Sequence, residues 1–178
     1  MNVYQVIDRF PEFPYFVLAV VFISLNPVDV SLHVLAVSFL FMVSSLIVGI
    51  VLKFILKTNR PTGYKCIILA RYDVPSLHSL LSVGGAVFVY FVSPIYCVFA
   101  VPLAILYMHS RIKLCLHTTE AVVAGAIIGF LMGVLFGLIL WSVDLDGFEL
   151  ILSLLFFFIP VFVTIFDLRY FKQRQLIK

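Results

Sequence analysis

Three short polar clusters lie in an otherwise apolar sequence, and each contains residue types that could do chemistry. The clusters occupy residues 53–61, 75–78 and 110–120. They carry cationic, hydroxyl and imidazole side chains, which suit the transfer of a phosphoryl group because its oxygens are anionic and its leaving oxygen needs a proton. Each cluster taken alone also has a simpler interpretation.

The first cluster is Lys53 followed by Arg60-Pro61. The two cations are seven positions apart, about two helical turns, so a helix that continued through both would place them on one face. Pro61 disfavours helix at Arg60 and turns the chain. The simpler interpretation is that a basic residue at a helix end reaches toward lipid headgroups.

The second cluster is Pro75-Ser76-Leu77-His78, directly before an apolar run. Ser76 stands where a helix N-cap is expected, and the backbone amides after it would form an anion-binding helix start. His78 would then lie just inside the membrane boundary. Capping alone accounts for Ser76, however, and a single interfacial histidine is often only amphipathic.

The third cluster is Ser110-Arg111 with His117 and Glu120. His117 and Glu120 are three positions apart at the start of a long apolar run, so on one helix face the carboxylate can reach the imidazole. A carboxylate on one ring nitrogen fixes the tautomer and leaves the other nitrogen as a nucleophile. The alternative is that an acid at a helix start only stabilises the helix dipole.

Together, the order and spacing of the clusters resemble the signature of the type 2 phosphatidic acid phosphatase family: K-x6-RP, then PS-x-H, then SR-x5-H followed by a carboxylate. The resemblance covers Lys53 to Glu120. The family places an Asp four residues after the third-motif histidine. Here Ala121 occupies that position, and Glu120 precedes it. The family also often has Gly where Leu77 stands.

The resemblance implies metal-independent hydrolysis of a lipid phosphate through a phosphohistidine. His117 would attack phosphorus, and Glu120 would orient the His117 ring. His78 would protonate the leaving group and later activate water. The groups implied in phosphate binding are Lys53, Arg60, Arg111, Ser76 and the amide of Leu77. Because basic side chains take the place of a metal ion, we expect no metal and no cofactor. Three further cations are candidates to bind a second negative group of the substrate: Lys57, Lys65 and Arg71. The alternative is that they are only attracted to the lipid headgroups.

The composition indicates a membrane protein. The 178 residues are 63% hydrophobic and 12% charged, with a mean hydropathy of +1.19, whereas soluble domains are about 45–50% apolar and about 25% charged. Cytosolic enzymes, nucleic-acid-binding proteins and secreted scaffolds are thereby excluded. Three cysteines without C-x-x-C spacing predict neither a disulfide framework nor a zinc site, and no signal-peptide cleavage pattern follows the first apolar run.

The apolar runs predict an all-α fold, a single transmembrane domain over residues 1–178 with about six spanning helices. The predicted spans are 31–52, 117–141 and 149–168, a weaker candidate at 13–26, and 79–109 divided in two at Ser93-Pro94. Five spans remain if residues 13–26 lie along the interface. His33 is expected to pack against a neighbouring helix.

Four glycines recur every four residues within the run 117–141: Gly125, Gly129, Gly133 and Gly137. On a helix they form one smooth stripe that lets a neighbouring backbone approach closely. We favour packing within the chain over the alternative, a homodimer through this stripe.

The clusters and the charges together predict the topology. His78 and His117 must share one site, so an even number of crossings separates them, consistent with two helices in 79–109. All 12 Lys and Arg residues then fall on the site side. The opposite side carries only acids, Asp29, Asp144, Asp146 and Glu149; the last three are expected in a solvated loop, with cation binding as the alternative. The positive-inside rule places both termini and the site on the cytoplasmic face, although members of the family commonly open to the outer or lumenal side.

A site at the membrane boundary suits an amphiphile whose phosphate lies in the headgroup plane. The expected partners are the lipid bilayer and a phosphorylated lipid: a polyprenyl diphosphate, phosphatidic acid or another glycerophospholipid phosphate. The rival class is a non-catalytic protein, either a degenerate family member that binds phospholipid or a transporter-like bundle. The carboxylate stands at Glu120 and not at the family position, here Ala121, and this displacement favours the non-catalytic class. The sequence shows no inverted repeats, which argues against transport.

Overall fold

The computed structural model describes residues 13–59, 72–143, 145, 147–155 and 158. Several residues of the sequence predictions lie outside the described residues: Arg60, Pro61, Lys65, Arg71, Asp144 and Asp146. Most of the last predicted span, 149–168, lies outside them as well, because residues 156, 157 and those from 159 onward are not described.

The described residues form helices joined by short connections. The helices are α1 (Phe13–Leu25), α2 (Val28–Leu56), α3 (Leu77–Val92), α4 (Cys97–Lys113), α5 (Thr119–Ile139) and α6 (residues 149–155), with a 3-10 turn at Pro94–Tyr96. Within these ranges there is no strand, and extended pairing is confined to an isolated bridge between Asn59 and Tyr72. The predicted all-α class is confirmed for this part of the chain.

Three helical segments are long and apolar enough to cross a membrane, judged by length and composition: Val28–Leu56, Pro94–Lys113 and Thr119–Ile139. α3 is also apolar but shorter, at 16 residues. Large apolar side chains such as Ile127 and Leu131 remain exposed on α5. Such a surface is unfavourable in water and suits contact with lipid chains. The prediction of membrane-type helices is confirmed for these segments.

The predicted division of residues 79–109 at Ser93-Pro94 is also confirmed. Ser93 has extended backbone and ends α3. Pro94 then begins the 3-10 turn, where its missing N–H breaks no helical hydrogen bond. α3 and α4 pack together through three buried small residues, Ala86, Ala100 and Ala104. This hairpin returns the chain to the end at which α3 began.

The glycine stripe of α5 faces α3 of the same chain, and all four of its glycines are buried. A Cβ at Gly125 would meet the carbonyl oxygen of Ser76, and one at Gly129 would meet the backbone of Leu80. Farther along, a Cβ at Gly133 would meet the backbone of Gly84. The close approach of the two helices therefore depends on the missing side chains. Packing within the chain is confirmed, and a homodimer through the same glycines would have to displace α3.

The chain divides into two compact units, and the described helices α3, α4 and α5 belong to the first, which includes Leu40–Asp144. In this unit Phe41 of α2 stacks on Phe88 of α3, with 5.7 Å between the ring centroids. This contact fixes the second half of α2 against the helix that begins at the second polar cluster.

The second unit includes Glu12–Phe39 and the chain from Leu145 onward. His33 Nδ1 lies 2.7 Å from Glu149 Oε1, and the Ser153 hydroxyl donates to the Leu32 carbonyl over 2.9 Å. The prediction that His33 packs against a neighbouring helix is confirmed. The expectation that Glu149 belongs to a solvated loop is wrong, because Glu149 is the first residue of α6 and its carboxylate pairs with His33.

Replacing Gly129 by Ala is expected to destabilise the protein, although Ala is the better helix former by about 1 kcal/mol. The added Cβ would collide with the backbone of Leu80, which cannot move aside as a flexible side chain can. We expect the free energy of unfolding to fall by about 1–3 kcal/mol, measured by denaturant unfolding in detergent micelles. The control is Ile127→Phe, which adds a larger group on the exposed side of α5. It should change the free energy of unfolding by less than about 0.5 kcal/mol. Equal losses in both variants would show that the glycine stripe does not determine the packing.

Candidate functional site

The connection that leads into α3 is held against the end of α2. α2 ends at Leu56, and Lys57 follows with a positive φ of 49°. Thr58 then binds two successive amides of the later segment: its carbonyl accepts from the Asp73 N–H (2.9 Å) and its hydroxyl from the Val74 N–H (2.9 Å). These bonds fix the backbone that carries Asp73.

Lys53 holds the same segment from the last turn of α2. Its ammonium donates to the carbonyl of Tyr72 over 2.8 Å and to the carbonyl of Asp73 over 2.9 Å. The side chain is almost completely buried, with 1% of the residue exposed. A buried ammonium must be surrounded by acceptors, since desolvation of the charge is otherwise unfavourable. The two carbonyls supply part of this environment.

The central contact of the site joins Asp73 to His117. The distance from Asp73 Oδ1 to His117 Nδ1 is 2.6 Å, and the two side chains are 1% and 3% exposed. The other carboxylate oxygen, Oδ2, accepts from the backbone N–H of Thr118 (3.2 Å) and from its hydroxyl (2.7 Å). Both bonds to Oδ2 come from donors, as an oxygen that only accepts requires.

The turn after α4 places His117 opposite Asp73. α4 ends at Lys113, Cys115 has a positive φ of 52°, and the carbonyl of Arg111 accepts from the N–H of Leu116 (3.0 Å) and of His117 (3.4 Å). Arg111 itself is buried, with 3% of the residue exposed. The turn thus holds the histidine and the arginine of the third cluster close together.

The contact with Asp73 restricts the roles of the two ring nitrogens of His117. When the carboxylate is ionised it only accepts hydrogen bonds, and Nδ1 then carries the ring proton that bonds to it. In the neutral ring the lone pair is then on Nε2. A positive charge that forms on the ring would be stabilised by the Asp73 carboxylate.

Ser76 is the N-cap of α3, directly before the first helical residue, Leu77. Its hydroxyl accepts from the Ser79 N–H (3.5 Å) and from the Ser79 hydroxyl (3.1 Å), and the residue is fully buried. The Ser76 N–H donates to the carbonyl of Ala121 over 2.9 Å, which links the start of α3 to the start of α5. The N-cap prediction is confirmed. Leu77 and His78 lie on the first turn of α3, both half-buried.

The predicted pairing of Glu120 with His117 is wrong. α5 begins at Thr119, with Thr118 as its N-cap, so His117 precedes the helix and the helical spacing of the two residues does not apply. Glu120 is exposed, while His117 bonds to Asp73. The sequence did hold a signal for Asp73, since Asp73 and Glu120 are the only acidic residues between Lys53 and Ala121.

The first cluster is likewise not arranged as one helical face. α2 ends at Leu56, before Arg60, so Lys53 and Arg60 do not share a helix. Arg60 itself lies outside the described residues. Lys57 is exposed just beyond the helix end. In the described part of the chain the structure therefore brings together Lys53, Ser76, Arg111 and His117 of the predicted set, and adds Asp73, Thr58 and Thr118.

Comparisons of the chain with protein-family models, with curated proteins and with solved structures found no match. Among the described residues, no group of three or more His, Cys, Asp or Glu is placed to hold a metal ion.

Removing the Asp73 carboxylate is expected to destabilise the fold, whereas removing that of Glu120 is not. Asp73→Ala removes the acceptor of the buried His117 ring and of the partly buried Thr118 donors, which should lower the free energy of unfolding by about 1–3 kcal/mol. Glu120→Ala, at an exposed position, should change it by less than about 0.5 kcal/mol. Denaturant unfolding in detergent checks both. A larger loss for Glu120→Ala would contradict the assignment of Asp73 as the buried partner.

Proposed function

We propose that the chain is a membrane-embedded lipid phosphatase that hydrolyses a phosphate monoester or diphosphate on a membrane lipid without a metal ion. The observation that carries the proposal is the buried bond between His117 Nδ1 and Asp73 Oδ1, 2.6 Å long. It orients the imidazole with Nδ1 toward a carboxylate, so that Nε2 carries the lone pair whenever the ring is neutral, as nucleophilic catalysis at phosphorus needs. The resemblance of the three clusters to type 2 phosphatidic acid phosphatases, which this contact now complements, gives the same reaction.

In the proposed first step, Nε2 of His117 attacks phosphorus as the bond from phosphorus to the lipid oxygen breaks. His78 gives its proton to that oxygen. A phosphate monoester then releases the lipid as a neutral alcohol, and a lipid diphosphate releases it as the lipid monophosphate. Asp73 stabilises the phosphohistidine ring through Nδ1. In the second step, the now neutral His78 takes a proton from water, the hydroxide attacks phosphorus, and the bond to Nε2 breaks to release inorganic phosphate.

The cationic residues of the clusters would neutralise the oxygens of the transferring group. Arg111 is buried beside the turn that positions His117, and a guanidinium binds phosphate oxygens in a fixed planar geometry. Arg60 and the amide of Leu77 complete the proposed phosphate site. Since these groups supply the electrostatic stabilisation, the proposed mechanism routes no step through a metal ion.

The proposed substrate is an amphiphile of the bilayer, because the site is built from residues at or beyond the ends of apolar helices. Lys53 is on the last turn of α2, and His117 follows α4, each at the boundary of a segment that could cross a membrane. A polyprenyl diphosphate, phosphatidic acid or another glycerophospholipid phosphate presents its phosphate at this level. Lys57, Lys65 and Arg71 are the proposed contacts for a second negative group.

The second candidate is a non-catalytic protein of the same fold that binds phospholipid. The observation that favours it is the burial of His117, whose side chain is only 3% exposed. A nucleophile must be reached by substrate, whereas a structural histidine paired with a buried aspartate need not be. Trapping of a phosphoenzyme separates the two candidates, since a binding protein forms none.

Phosphate release in EDTA is the test of the proposal. Purified protein in detergent should hydrolyse at least one of three lipids: polyprenyl diphosphate, phosphatidic acid and phosphatidylglycerophosphate. His117→Ala should abolish turnover and the acid-labile phosphoenzyme, and Asp73→Asn should lower kcat by roughly 10²–10⁴-fold. The required neutral His117 and protonated His78 predict a bell-shaped pH–rate profile between about pH 5 and 9.

Glu120→Gln is the matched comparison for Asp73→Asn, because each replaces one carboxylate by an amide. It should keep nearly the wild-type rate, since Glu120 is exposed and does not pair with His117. If Glu120→Gln were inactive and Asp73→Asn active, the roles of the two acids would be reversed. A folded wild type that is inactive on all three lipids would support the binding protein.

We further propose a six-helix, multi-pass arrangement with the site on the cytoplasmic face, in line with the Lys and Arg distribution. In a cysteine-free background, Ser142→Cys after α5 and Lys113→Cys at the end of α4 report on the two ends, and both positions are exposed. A membrane-impermeant thiol reagent applied to intact cells should label only the first, and only opened cells should allow labelling of the second. The reverse pattern would place the site on the outer or lumenal face.

A further inference from the structure

We infer that Lys53 is a positioning residue: it fixes the backbone that carries Asp73, and through Asp73 it fixes His117. The resemblance assigns this lysine to the phosphate, whereas the structure directs its ammonium to two backbone carbonyls. The inference rests on the proposed function for its kinetic consequences, and on geometry alone for its effect on the His117 ring.

The contacts of the ammonium define the role. Nζ donates to the carbonyl of Tyr72 and to that of Asp73 over 2.8 Å and 2.9 Å. A lysine ammonium has three N–H donors, so two of them are directed at the segment that enters α3. Lys53 is 1% exposed, which sets it apart from the exposed Lys57 at the same helix end. The charge is placed to hold a backbone segment inside the protein.

The Asp73 carboxylate depends on that backbone for its aim. Asp73 is held at its own carbonyl by Lys53 and at its own N–H by the carbonyl of Thr58. Its side chain has few rotatable bonds, so a shift of the backbone moves the carboxylate by a similar distance. Displacement of about 1 Å at a catalytic group can lower a rate by about 10²-fold. Lys53 therefore affects His117 indirectly, through the position of the Asp73 carboxylate.

This pathway predicts a specific pattern in a double-mutant cycle. Lys53→Met keeps the length of the side chain and removes the donors. It should lower kcat by roughly 10–100-fold and leave KM within about threefold, because the phosphate is bound elsewhere. In the Asp73→Asn background the same replacement should add little, since the group that Lys53 positions has already been disabled. Lys113→Met, which removes one exposed charge from the end of α4, is the control for loss of a cation and should behave as wild type.

Inhibition by vanadate, a phosphate analogue, distinguishes positioning from phosphate binding. If Lys53 bound the phosphate, Lys53→Met would weaken vanadate inhibition and raise KM by similar factors in the wild-type and Asp73→Asn backgrounds. That additive result would overturn the inference. An unchanged vanadate affinity together with a reduced kcat would confirm it.

The ring of His117 gives a readout that needs no turnover. With 15N-labelled histidine and His117→Gln to assign the resonances, the wild type should show His117 protonated at Nδ1, as the bond to Asp73 requires. Lys53→Met should shift the Nδ1 and Nε2 resonances toward a mixture of tautomers, and Lys113→Met should not. An unchanged His117 spectrum in folded Lys53→Met would overturn the inference.

If Lys53→Met does not fold, Thr58→Val tests the same segment. It is nearly isosteric and removes the hydroxyl that accepts from the Val74 N–H. It should lower kcat several-fold at constant KM and shift the His117 resonances in the same direction as Lys53→Met; no change in either would overturn the inference. A wild type without phosphatase activity would refute the proposed function, and the histidine spectra would still decide the role of Lys53.

Discussion

The pairing of a buried carboxylate is the constraint on which this structure depends. An ionised aspartate removed from water is strongly unfavourable unless donors surround it, and Asp73 receives them from His117 and Thr118. These partners are 44 and 45 residues away in the sequence. The connection after α2, the turn after α4 and the start of α5 must therefore all meet at one point. At this point the carboxylate fixes the orientation of the histidine ring.

The helices satisfy this constraint through close backbone packing. α5 lies against α3 along a face of glycines, and at its first turn the carbonyl of Ala121 accepts the N–H of Ser76. The two helix starts are thereby brought level, with Asp73 just before one and His117 just before the other. In an apolar environment there is little hydrophobic force between helices, so small residues and hydrogen bonds of this kind supply the association. Helix packing and site geometry are consequences of the same contacts.

Local patterns in the sequence predicted the features that depend on local physics. Composition predicted membrane-type helices, Ser93-Pro94 predicted the break between α3 and α4, Ser76 predicted a cap, and the spacing of four glycines predicted a packed face. The failures have a common cause. Helical spacing pairs Glu120 with His117, but the helix begins only after His117. The same spacing groups Lys53 with Arg60, but that helix ends at Leu56. Asp73 was missed because its partners are distant in sequence.

Ala121 lies where the chain departs from the motif that its clusters resemble, and the structure shows what surrounds this position. In the family pattern that the motifs resemble, an Asp would occupy this position, four residues after the histidine. Here residue 121 is fully buried and its carbonyl binds the start of α3, so a larger, charged side chain would have to be accommodated in a packed helix contact. Asp73 approaches His117 from the connection instead, where the backbone is held by Lys53 and Thr58. The carboxylate beside His117 therefore comes from outside the contact between α3 and α5, and its position depends on the end of α2.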